Sequence, residues 1–135
     1  MNKKVPRGLR NNNPFNIIDS KTKWQGESDK NDDPKFEEFE DMVIGIRAGM
    51  VILRSYMLKY KLNTISKIIN RFAPTVENDT KAYIEAVAKR TGFGKDQKLT
   101  FDKYTICRLT EAICHHENGG DYITTEQINK AWEKV

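Results

Sequence analysis

Met42-Val43-Ile44-Gly45-Ile46-Arg47-Ala48-Gly49-Met50-Val51-Ile52-Leu53-Arg54-Ser55-Tyr56-Met57-Leu58 is apolar nearly all round when wound as an α-helix. The charges in the helix predicted over 42–61 fall only at Arg47, Arg54, Lys59 and Lys61, and three of these, Arg47, Arg54 and Lys61, recur every seven residues as one narrow stripe. A helix with so little polar surface needs protein on most of its sides, so it is expected to be the central, most buried element. Asp41 stands where an N-cap belongs. Gly45 and Gly49, four apart, leave one face without side chains, where a neighbouring segment can come close.

Outward from this helix, the pattern stays helical towards the C-terminus. Ile65, Ile68, Ile69 and Phe72 follow the i, i+3, i+4, i+7 spacing of a second helix from Thr64, which Ala73-Pro74 ends. Asn78-Asp79-Thr80 supplies capping chemistry for a third helix with Tyr83, Ile84, Val87 and Ala88 on its apolar side and Gly92 at its end. A fourth begins at Phe101 or Asp102 and runs to His116, and Thr124-Thr125-Glu126-Gln127 opens a short last helix with a capping-box pattern. Towards the N-terminus, the segment from Arg7, with Asn11-Asn12-Asn13 ahead of Pro14, reads as an ordered loop feeding a short strand over 15–18. Two or three short strands or hairpins are expected through Trp24-Gln25-Gly26 to Phe36 and Phe39. The predicted fold is mainly α (α+β): one domain over 1–135, with about five helices around a central buried helix and a small N-terminal β patch.

The fourth helix ends Ile113-Cys114-His115-His116-Glu117-Asn118-Gly119-Gly120. Glu117 shares its helical face with Ile113, Thr110 and Ile106, while Arg108, Glu111 and His115 form the polar stripe. Burial against an apolar wall and the negative end of the helix dipole both favour the protonated carboxyl, the state a general acid must hold. The alternative is an ordinary, solvated last-turn glutamate. Trp24 has two readings as well, an anchor for a small core or a flat platform for a sugar ring.

Composition narrows the partners. The net charge of +4 suits an anionic partner, but the basic residues are scattered among acidic ones with no aromatic-interleaved run, which ranks nucleic acid low. No metal or cofactor is expected: His115 and His116 are adjacent and diverge by about 100° on a helix. Cys107 and Cys114 lie two turns apart, beyond disulfide reach, and read as free thiols. The charged start Met1-Asn2-Lys3-Lys4 has no apolar run after it, so neither a secretory signal nor a membrane span is expected. Synthesis in a host cytoplasm, with action at the cell wall or carriage in a virion, is the expected localisation.

Taken together, Arg7-Gly8-Leu9-Arg10-Asn11-Asn12-Asn13-Pro14-Phe15-Asn16-Ile17, Trp24-Gln25-Gly26, Phe36 with Phe39, Gly45-Ile46-Arg47-Ala48, Ile69-Asn70-Arg71-Phe72-Ala73-Pro74, Glu77-Asn78-Asp79-Thr80 with Tyr83-Ile84, and His116-Glu117-Asn118-Gly119 resemble bacteriophage virion-associated and lysis proteins of the lysozyme-like superfamily. A patchier similarity is to autolysin-type N-acetylglucosaminidases, in which the catalytic glutamate precedes the Asn-Asn loop. Here the first glutamate is Glu27, so the resemblance implies a circularly permuted order with Glu117-Asn118-Gly119 in the catalytic place. Phe15 stands where that loop would carry glycine.

The resemblance implies cleavage of peptidoglycan glycan strands, by a lytic transglycosylase or a muramidase. Glu117 and Tyr83 would be catalytic, and Asn12, Asn13, Asn16 and Trp24 would bind substrate. Tyr83 could equally be core. Partners would be glycan strands and other virion or lysis proteins. A muramidase needs a second carboxylate, for which Glu27, Asp29, Asp32, Glu37 and Glu38 are candidates. A lytic transglycosylase needs only one glutamate, because the substrate's 6-hydroxyl attacks. The competing expectation is an inactive structural virion protein or a peptidoglycan-binding module that keeps the fold alone.

Overall fold

A computed structural model of the chain describes residues 5–29, 32–74 and 79–135. Asn78, part of the predicted third cap, and Glu77 lie outside the described residues, as does the charged start at 1–4. A side-chain cap stands at the start of every long helix; those at Asp41, Asp79 and Thr124 were predicted, while Thr64 and Asp102 were expected only as places where helices begin. Asp41 accepts from Ile44 N at 2.9 Å, Thr64 from Lys67 N at 3.2 Å, Asp79 from Ala82 N at 3.1 Å and Asp102 from Thr105 N at 2.9 Å. Thr124 and Gln127 close a reciprocal capping box.

These caps open α2 (Met42–Arg54), α3 (Ile65–Phe72), α4 (Thr80–Thr91), α5 (Lys103–Asn118) and α6 (Thr125–Trp132). One further helix, the single turn α1 (Arg7–Arg10), stands where an ordered loop was expected. Pro6 pre-sets its entry, and the turn is too short for apolar periodicity to reveal it. The central helix is also more complex than predicted, because after Arg54 it continues as a π-helical turn, Ser55–Lys59. Such turns are rare and concentrate at functional sites.

No residue of α2 is exposed, and Gly45, Ile46, Ala48, Gly49, Met50 and Leu53 are buried. It packs on α6 and α5, while α4 bridges α3 and α5. The face opened by Gly45 and Gly49 receives the loop between α1 and the first bridge. A Cβ on Gly45 would overlap the Asn12 carbonyl oxygen, and one on Gly49 would overlap the Phe15 ring. Phe15 is fully buried there, edge-on to Phe72 with ring centroids 6.0 Å apart, which is why a large residue stands where glycine was expected.

The expected β patch is reduced. Among the described residues there are no strands, only two isolated antiparallel bridges, Ile18 with Phe36 and Glu27 with Phe39. Side chains hold this region in place of a ladder: Asn13 donates to the Ile17 and Glu37 carbonyls, and Asn12 donates to Phe39 O. Both cysteines are free, and no helix among the described residues is long and apolar enough to cross a membrane.

Candidate active site

α5 carries Glu117 on the face shared with Ile106, Thr110 and Ile113, all three fully buried. The helix then stops at Gly119, whose φ of 69° is the left-handed conformation that glycine adopts without strain. Glu117 itself is only half-buried and faces a groove of about 490 Å³. One wall comes from Ile17, Ile18 and Phe36, the other from Ile52, Tyr56 and Phe72. Among the described residues lining the groove, Glu117 is the sole carboxylate.

Two donors distant in sequence from Glu117 hold that carboxyl. The Tyr83 hydroxyl on α4 donates to Oε2 at 2.7 Å, and the Asn16 amide donates to Oε1 at 2.9 Å. Asn118, next along α5, donates to Pro14 O at 2.9 Å and fastens the Asn16 loop to the helix end. Burial raises the proton affinity of Glu117. Asn16, Tyr83 and nearby His116 work in the opposite direction, and burial prevails. Tyr83 remains a donor because burial, together with the Glu117 charge, lifts its own pKa well above the ordinary phenol range. The His116 ring lies over it with centroids 3.9 Å apart.

Of the six residues expected at the site, the structure brings together Glu117, Tyr83 and Asn16. Tyr83 is 1% exposed, and its hydroxyl meets Glu117 and not the open groove. Asn13 is 0% exposed with its amide spent on backbone, which corrects its assignment to substrate binding. Asn12 is likewise turned to Phe39 O, in a left-handed backbone conformation. Trp24 packs edge-on against Phe39, with centroids 6.4 Å apart, as an anchor of the polar loop and not as a wall of the groove. Proximity to proline in a turn motif did not separate the asparagine that faces the groove from those that build the loop.

The five candidate second carboxylates lie elsewhere. Asp29 and Asp32 are exposed, and Glu38 accepts from Asp32 N and Asp33 N within its own loop. Glu27 and Glu37 gather with Asp19, their carboxyl oxygens within 4.8 Å of one another. Burial and the Glu27 charge push Glu37 up to about 7, and it is 1% exposed. Sequence reasoning missed this cluster because its members come together only when the loop folds. It also missed Tyr56, Phe36 and Phe72 as walls, although a tyrosine just past the apolar core of α2 was the available signal.

No family model matches the chain. It is 47% identical over 130 residues to Protein P5 of Pseudoalteromonas phage PM2, a match that covers 94% of this chain and 80% of that protein. The chain therefore belongs to the family of this phage protein.

Proposed function

We propose that this protein cleaves the glycan strands of peptidoglycan as a one-glutamate lytic transglycosylase on a lysozyme-like, circularly permuted helical fold. One observation carries the proposal: a lone carboxyl, raised in proton affinity, faces an open groove with apolar walls and is oriented by two donors. Protonated Glu117 would give its proton to the glycosidic oxygen as the bond to the anomeric carbon breaks. The sugar's own 6-hydroxyl then bonds to that carbon, and its proton returns to the Glu117 carboxylate, leaving an anhydro-sugar end and a free hydroxyl on the departing strand. A second carboxylate is not required, which agrees with the placement of Glu27, Glu37 and Glu38 away from the groove. Relationship to a phage protein fits action at a bacterial wall or carriage in a virion.

One feature favours a second reading, an inactive wall-binding or virion structural protein: both Glu117 oxygens already accept hydrogen bonds, as a buried structural glutamate's would. Glu117→Gln separates the two. The change removes the transferable proton at nearly constant size, so release of anhydro-ended fragments from purified sacculi should fall by about 10²- to 10⁴-fold, with the unfolding midpoint kept. Undiminished release by the variant would remove Glu117 from the chemistry, and no release by the parent protein would favour the inactive reading.

A further inference from the structure

Asn16 and Asn118 both donate from their amide nitrogens beside Glu117, and both leave the amide oxygen without a donor among the described residues. The two oxygens are buried and face Gly8 of α1. A Cβ on Gly8 would overlap Asn118 Oδ1 and lie 2.9 Å from Asn16 Oδ1 and 2.8 Å from Asn13 O, so the three oxygens close round one small space. Asn13 O already accepts from Asn16 N at 2.9 Å. A buried amide oxygen ordinarily finds a donor, and two that face each other without one are costly.

An asparagine amide keeps nearly the same shape after a half-turn about χ2, a torsion that is roughly two-fold. In the orientation described, Asn16 Nδ2 serves a charged Glu117, donating to Oε1 at 2.9 Å and towards the backbone O at 3.4 Å. A protonated Glu117 would offer a hydroxyl at the same place and need an acceptor. The half-turn supplies one: Oδ1 replaces Nδ2 opposite Oε1, and Nδ2 enters the space where Asn118 Oδ1 lacks a donor. We infer that Asn118 positions Asn16 in two orientations, one for each protonation state of Glu117, so that the carboxyl is held both before and after it gives up a proton. Partners for two orphaned oxygens offset the loss of the 3.4 Å contact. The bond to the carboxylate is charge-assisted and the stronger of the two, so on balance Asn16 still favours the charged form. Tyr83 from α4 donates to Oε2 in both states. The other ionisable groups near Glu117 are His116 and Cys114 on α5, with Lys35 and Tyr56 lining the groove, and none of them donates to either orphaned oxygen. The rotation follows from geometry alone; its consequence, one group serving as acid and then as base, rests on the one-glutamate reading.

The test is made by NMR on the full-length protein in solution, without glycan. The side-chain carboxyl carbon of Glu117 is followed through its titration while nuclear Overhauser contacts are read between the Asn16 side-chain amide protons and the α-protons of Gly8. Those contacts should strengthen several-fold as Glu117 takes up its proton and weaken again as it loses it, with the same midpoint. Glu117→Gln, whose own amide donates at that place, should show the strong contacts at every pH. In Asn118→Ala the protonated form loses its support, so the Glu117 midpoint should move to lower pH, opposite to the shift expected when a donor to the carboxylate is removed. Contacts of constant strength in the parent protein, or contacts that change at a different midpoint, would overturn the inference whether or not the Asn118 variant folds. A midpoint unmoved or raised in folded Asn118→Ala would overturn it as well. Cleavage of sacculi is scored separately. Cleavage without the rotation removes this inference and keeps the catalytic proposal, whereas rotation without cleavage does the reverse.

Discussion

Glu117 is balanced between burial, which favours its protonated form, and two donors that favour its charged one. Removing a donor should therefore move its titration upward. If protonated Glu117 is the acid, activity falls as pH rises through its pKa, so Tyr83→Phe should displace that fall to higher pH, and Asn16→Ala should do the same. A pH–rate profile of fragment release checks the direction, and a shift to lower pH would contradict the hydrogen-bond geometry. Glu37 gives a stability counterpart. Its proton affinity is raised in the folded chain to about 7, so between its ordinary value of 4.5 and about 7 the folded state holds more protons than the unfolded one. Its contribution is full below that window and is lost as pH rises through it. Chemical denaturation across the window should show declining stability in the parent protein and a flatter profile in Glu37→Gln. At this scale the helical face of Glu117 was legible, because it is a matter of periodicity. Asn13 and Glu37 were misread because their partners, Ile17 O and Glu27, are set by how a loop closes.

Among elements, α2 shows how much depends on where side chains are missing. Leu53 is 0% exposed, and Leu53→Ala should cost about 2 to 5 kcal/mol, measurable as a lowered denaturation midpoint. Gly49→Ala has a different expected signature. Its new methyl would meet the Phe15 ring, so overpacking should cost about 1 to 3 kcal/mol, and the displaced loop should carry Asn16 away from Glu117. Activity should then fall further than stability alone explains, as the two measured together would reveal. Three of the five long helices were legible from a capping side chain at their start, Asp41, Asp79 and Thr124, and that at Ile65–Phe72 from its apolar spacing. The π-helical turn and the loss of strands were not. Nothing local in Ser55-Tyr56-Met57 announces an extra residue in the turn, and the asparagine bonds that replace the ladder join positions up to 27 apart.

Across the whole molecule, on the proposed function, the net charge of +4 would draw the protein towards an anionic wall before any groove contact forms. Screening shortens to about 10 Å at 0.1 M ionic strength, so the rate of association with sacculi should drop as salt is raised, which stopped-flow or sedimentation at graded salt would measure. The contacts that finish the site have another consequence. Asn16 meets Glu117 across 101 positions, and Asn118 meets Pro14 across 104. During translation the loop, α2 and α4 all emerge while the carboxyl they will hold has yet to be made. A chain cut short anywhere before α5 is complete lacks the carboxyl that Asn16 and Tyr83 hold, so on the proposed function no activity is expected from such a fragment.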